Sequence, residues 1–170
     1  MTALSLAEEF GLWPLIRAVI LARLSPYEAA ALITHLHRLP VKRSHAVQRL
    51  GCYVARGGAP VSIRLQFAQE EEQLRQTFLH ELAHACDHLT LQNGRPYRQA
   101  HGPGWREWMA AFGLPAERVG QSEALALLRD RRLKVVAVCR TCGIEIKRLR
   151  RFDKRKRYLH SECGGRLVPV

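Results

Sequence analysis

The sequence predicts an α+β chain in two parts, a helix-rich core carrying a small sheet (residues 1–132) and a C-terminal β subdomain (133–170). Three observations predict it. Helical hydrophobic spacing dominates to about residue 130, two short β-branched or apolar runs interrupt it around a glycine turn, and a basic tail carrying three of the five cysteines follows. With 170 residues and 47% hydrophobic content the chain can bury one compact core and a small appendage.

Ser5 to Ala22 carries Leu6, Phe10, Trp13 and Arg17 at roughly helical spacing, and Ser25-Pro26-Tyr27-Glu28 starts a second helix through Leu36. Two N-terminal helices are therefore expected. The helical pattern lapses around Leu39 to Lys42. Leu50 to Ala55 and Val61 to Phe67 then flank Arg56-Gly57-Gly58-Ala59-Pro60 and read as two strands joined by a turn, part of a sheet of three or more strands. Glu70-Glu71-Glu72 puts negative charge where a helix macrodipole favours it, and Leu74, Phe78, Leu82, Cys86 and Leu89 continue that helix as one apolar stripe. Asn93-Gly94-Arg95-Pro96 breaks it. Pro103 opens another helix, whose Trp105, Trp108, Met109 and Phe112 fall at core spacing before Gly113 ends it, and a last helix spans Ser122 to Arg131.

Met1 to Gly11 lacks a basic n-region, and Pro14, Arg17 and Arg23 interrupt the apolar stretch Leu12 to Leu24. Neither a signal peptide nor a membrane span is expected. The expectation is a monomer that is not secreted and has no membrane partner, cytoplasmic and nucleoid-associated if bacterial, nuclear if eukaryotic. Cysteines crowded at metal-ligand spacing exclude a disulfide scaffold.

Within the long helix, His80-Glu81-Leu82-Ala83-His84 sets two imidazoles one turn apart on one face, able to share an ion, with Glu81 near that face. This is the pattern of a catalytic zinc site. A third ligand is needed, and His101, in the glycine-rich Ala100-His101-Gly102-Pro103-Gly104, is the candidate; it follows His84 by 17 positions rather than the six of metzincins. Glu107 and Glu123 are the carboxylate alternatives. His88 lies about 6 Å along the axis from His84, too far to share a tetrahedral ion easily, and reads as a supporting or surface group. Asp87 either orients His84 or lies on the helix surface, and Cys86 is core. Three neutral imidazoles leave a position for water, whose pKa zinc lowers to about 7, with Glu81 as its base in amide cleavage.

Cys139-Arg140-Thr141-Cys142 and His160-Ser161-Glu162-Cys163, each followed by glycine, read as the two knuckles of a structural zinc ribbon ligated by Cys139, Cys142, His160 and Cys163. Of the net +12, residues 131–170 carry 13 Lys+Arg against 3 Asp+Glu, and residues 1–130 carry 14 against 12. Such asymmetry points to a polyanion, nucleic acid first. Lys147, Arg148, Arg150, Arg151, Lys154, Arg155, Lys156 and Arg157 would pair with phosphates, while Phe152 and Tyr158 either stack on unpaired bases or fill the ribbon's small core. DNA with single-stranded character is the expected partner, bound with weak sequence preference.

Gly51-Cys52-Tyr53-Val54-Ala55-Arg56-Gly57-Gly58, Ser62-Ile63-Arg64-Leu65, Leu79 to Ala85 and His101-Gly102-Pro103-Gly104-Trp105 together resemble the SprT-like metalloproteases, from about Leu39 to the C-terminus. Cysteine at all four ribbon positions is common in that family, so His160 departs from its pattern. The resemblance implies a zincin-like metalloprotease core with zinc ligands His80, His84 and His101 and Glu81 as catalytic acid/base. It also implies protein substrates on DNA, of the DNA–protein crosslink-repair type. The competing class is a nucleic-acid-binding regulatory protein whose helix metal site is structural or vestigial. Glu81 argues against it, because a purely structural ion has no use for a carboxylate beside its first ligand.

Overall fold

The computed structural model of the chain describes residues 1–90, 100–116 and 120–170. Two compact units result, Met1–Leu125 and Ala126–Val170. The architecture is mixed α+β, with six helices and two three-stranded sheets among the described residues.

Three helices open the first unit where the sequence predicted two: α1 (Ala3–Glu9), α2 (Trp13–Arg23) and α3 (Pro26–Arg38). The extra break has a local cause. Gly11 adopts φ +68, which ends α1, and Pro14, lacking an N–H, sits in the first turn of α2 where none is needed. Ser25 and Glu28 form the capping box expected of α3: the Glu28 N–H donates to Ser25 Oγ at 3.4 Å, and the Ser25 N–H donates to the Glu28 carboxylate at 3.0 Å.

The first sheet has the order β1-β3-β2, with β1 (Val41–Arg43) parallel and β2 (Gly51–Arg56) antiparallel to the central β3 (Ala59–Leu65). On β3, Ile63 and Leu65 are fully buried and Arg64 between them is exposed, the alternation of a sheet with one covered face. Helix α4 (Glu71–Thr90) packs on β2 and β3, and α5 (Pro103–Ala111) packs on α4. Phe78, Leu82, Cys86 and Trp105 join Leu6, Ile16, Ile20 and Leu36 in one core. From Glu81 to His88 every residue of α4 is buried. A helix enclosed on all sides must find partners for its polar side chains, and Glu81, His84, Asp87 and His88 fall in this enclosed half, with His80 half-buried at its start.

Of the three consecutive glutamates only Glu71 and Glu72 serve the first turn of α4; the Glu70 carboxylate instead accepts from the Ala124 N–H at 2.8 Å, in the first turn of α6 (Glu123–Arg132). The expected helix break at Asn93 to Pro96 lies outside the described residues.

The second sheet has the order β5-β4-β6, built from β4 (Lys134–Cys139), β5 (Glu145–Arg148) and β6 (Leu167–Pro169), both pairings antiparallel. Val136, Ala137 and Cys139 are its buried residues on β4. Among the described residues no helix is long and apolar enough to cross a membrane.

Candidate metal centres

Two groups of side chains could each hold an ion. In the first, one ligand nitrogen from each of His80, His84 and His101 lies within 4.8 Å of the others. Helix α4 supplies the first two, whose rings stand 5.0 Å apart. His101 comes from the turn before α5 and reaches back, its ring centroid 5.3 Å from that of His80 and 4.7 Å from that of His84. Its backbone has φ +62, the one non-glycine residue in the left-handed region among those described. That conformation costs about 1–2 kcal/mol, and a strained residue at a ligand position is held there by its surroundings.

Trp105 is the chief of those surroundings. It is fully buried, stacks on His84 with centroids 5.3 Å apart at 20°, and sets its ring at 4.9 Å from His80 and 4.6 Å from His101. Its Nε1–H donates to the His80 carbonyl at 3.4 Å. The sequence assigned Trp105 to packing alone; the structure makes it the floor under all three imidazoles. Asp87 is also buried, and its carboxylate abuts Gly104 in the first turn of α5 so closely that a Cβ on Gly104 would collide with its Oδ1. The carboxylate thus meets the positive end of that helix, and the surface reading of Asp87 is wrong.

The donor chemistry fits zinc. Two nitrogens bound tetrahedrally at about 2.0–2.1 Å lie about 3.4 Å apart, and His80 Nε2 and His101 Nε2 are 3.3 Å apart. Burial, with the neighbouring imidazoles adding to it, pushes the pKa of His80 down to about 4 and of His84 down to about 3, keeping both rings neutral as ligation requires. The carboxylate alternatives are engaged elsewhere: Glu107 pairs with Arg23 at 2.9 Å, and Glu123 is exposed at the start of α6.

Glu81 lines a cleft of about 230 Å³ together with the three histidines, Ala100, and Gly51, Cys52 and Tyr53 of β2. Burial pushes its pKa up to about 7, against the lowering effect of the Tyr53 N–H that its carboxylate accepts. Gly51 permits this approach, since a Cβ there would press on Thr77 and on the Glu81 side chain at 3.0 Å. His88 secures the same strand. Its Nε2 is 3.0 Å from the Gly58 carbonyl, which can only accept, so Nε2 carries the proton and Nδ1 accepts from the Tyr53 hydroxyl at 2.7 Å. His88 is therefore a buried brace between α4 and the β2–β3 hairpin, not a surface group. No local pattern announces the pairing of residues 35 positions apart. Trp105 lies four positions after His101, but His101 precedes α5 in a left-handed turn, so helical spacing does not announce their contact.

The second group is Cys139, Cys142, His160 and Cys163, again within 4.8 Å. Cys139 Sγ lies 3.5 Å from Cys163 Sγ, Cys142 Sγ lies 3.6 Å from Cys163 Sγ, and His160 Nδ1 lies 3.4 Å and 3.2 Å from the sulfurs of Cys142 and Cys163. Edges of that size suit a tetrahedral ion with sulfur at about 2.3 Å. The two knuckles repeat one backbone design. Cys139 N–H donates to Ile144 O and Gly143 N–H to Cys139 O; His160 N–H donates to Gly165 O and Gly164 N–H to His160 O. His160 thus occupies in its knuckle the place Cys139 has in the other. The Cys142 N–H, aimed at Cys139 Sγ, is foremost in holding that thiol below its ordinary range, which favours the thiolate that a metal needs.

The eight basic residues between the knuckles are all exposed. Phe152 and Tyr158 are half-buried against each other, centroids 4.2 Å apart, with the Arg148 guanidinium 4.6 Å above Phe152.

Comparison with known proteins bears on the region that holds the histidine group. The SprT-like family profile matches residues 34–122, about half of the chain. Germ cell nuclear acidic-1 protein of Caenorhabditis elegans is 31% identical over 120 residues, which are 66% of this chain and 21% of that protein. The chain thus spans about a fifth of that relative's length. No solved structure matches.

Proposed function

The chain belongs to the SprT-like family, a family of metallopeptidase-like domains, and from that premise we infer that its first unit is a zinc-dependent endopeptidase acting on proteins associated with DNA. One observation carries the reading: three imidazole nitrogens, two of them on rings that burial keeps neutral, converge in a cleft whose wall holds a buried carboxyl group.

His80, His84 and His101 would hold the zinc, which when bound supplies Lewis acidity to the scissile carbonyl and to the attacking water. Glu81 does the proton work. With its pKa near 7 it can accept a proton from water at its carboxylate and deliver that proton to the departing amide nitrogen, since neither transfer is far uphill. The Tyr53 N–H fixes the carboxylate, and Trp105 fixes the rings. Only three metal-ligating side chains gather here among the described residues, which suits an open catalytic site; a closed structural site would take four. The second group has its four.

A DNA-associated substrate is supported by the eight exposed cations of the second unit and by its charge excess of +10. The test replaces Glu81 by Gln and follows cleavage of a DNA-bound protein with zinc content measured alongside. Cleavage should fall by about 10²–10⁴-fold with zinc retained. Cleavage at the wild-type rate would remove Glu81 from the mechanism.

A further inference from the structure

Between Glu28 and Glu70 the chain runs for 41 residues without a carboxylate while holding Arg38, Lys42, Arg43, Arg49, Arg56 and Arg64. The near balance of residues 1–130 therefore hides a division, because the rest of that stretch carries eight Lys+Arg against twelve Asp+Glu. All six cations are exposed, and among the described residues none pairs with a carboxylate.

The sheet sets two of them in a row that ends at the cleft. Parallel pairing sets Lys42 opposite Arg64, and antiparallel pairing sets Cys52 opposite Arg64, so these side chains form one row across three strands. Gly51 turns toward α4, so its neighbour Cys52 and the row with it belong to the other face. Cys52 also lines the cleft beside Glu81, and the Arg49 guanidinium donates to its thiol. Lys42 and Arg64 thus lay positive charge along a row that meets the rim of the cleft at Cys52, where Arg49 adds a third cation.

We propose that this rim binds the sugar-phosphate backbone of nucleic acid, so that the first unit holds nucleic acid beside its own cleft without help from the ribbon. The proposal rests on the DNA-associated reading above and adds a second contact surface to it. A lone peptide carboxylate is met by one forked guanidinium. Here three charges come from three separate segments, with Lys42 and Arg64 on adjacent strands about 4.8 Å apart, which suits a line of phosphates. Phe67 is half-buried beneath Arg43 at 5.1 Å rather than free to stack on a base, so contact is through charge and carries no base preference. The second unit of the same chain carries its own excess of cations, the same chemical class of partner.

The experiment measures binding of a labelled oligothymidine to the full zinc-loaded chain as salt rises from about 50 to 200 mM. The combined variant Lys42→Gln, Arg49→Gln, Arg64→Gln should lower the salt slope by about 2, since each single-strand phosphate contact contributes about 0.7. In a chain whose Arg150, Arg151, Arg155 and Arg157 are already Gln, the same three changes should remove most of the remaining binding. Lys42→Arg, Arg49→Lys, Arg64→Lys should keep the slope, which separates charge from fold. An unchanged slope in both backgrounds overturns the proposal. So does a variant that binds oligothymidine normally yet cleaves acidic peptides poorly, because the rim would then be a peptide subsite. Binding is read without turnover, so this result and that of Glu81→Gln can fail independently.

Discussion

The two metal-ligand groups are built by opposite strategies. In the ribbon each pair of ligands lies within a four-residue stretch, and the backbone of each knuckle presents them through the same two hydrogen bonds. In the cleft, two ligands come from one helix and the third from 17 positions on, held by a left-handed backbone, a buried indole and a carboxylate against a helix end. The first site rests on local turns, and on the reading proposed above an ion holds them together. The second rests on a packed core, which on that reading leaves the ligands preorganised and a coordination position for chemistry.

The sharpest way to break this contrast is to remove each ion's ligands in turn. Cys139→Ser with Cys163→Ser should cost the ribbon its fold, because structural zinc supplies about 10–16 kcal/mol to a small module. Amide protection of β4 to β6 should vanish in hydrogen exchange while the first unit melts as before. If that sheet stays protected, the ribbon does not depend on metal and the contrast fails.

Next in size is Trp105→Ala. Losing a fully buried indole should destabilise the first unit by about 3–5 kcal/mol and weaken zinc at the histidine site by about 10–100-fold, as loss of a supporting partner does. Trp105→Phe should recover most of the zinc affinity, and zinc titration with thermal melting separates the two effects. Equal zinc affinity in all three proteins would show that the ring only fills space.

These residues also mark what the sequence could and could not disclose. Spacing alone named both knuckles and the helical histidine pair, because ligands three or four positions apart are fixed by local geometry. His101 was found through its glycine-rich setting. Trp105 was read as core, which it is, but its service to three rings depends on how α5 lies on α4. The Tyr53–His88 brace and the burial of Asp87 are tertiary facts with no local pattern. The count of N-terminal helices went astray at Gly11, where periodicity carries on through a left-handed residue that the chain does not carry on through.

A smaller test probes the contact between α4 and α5. Gly104→Ala should cost about 1–3 kcal/mol, the range for overpacking, and Asp87→Ala in the same chain should return part of it, measured as a double-mutant cycle of melting free energies. Additive effects would mean that the two residues do not meet.

The most direct measurement is zinc per chain, by elemental analysis, in the wild type, in His101→Ala and in Cys163→Ser. The account predicts two ions in the wild type. His101→Ala should lose the cleft ion while keeping a folded first unit, and Cys163→Ser should lose the other ion together with its sheet. Two ions retained in His101→Ala, with wild-type cleavage, would contradict a site assembled from two distant stretches of chain.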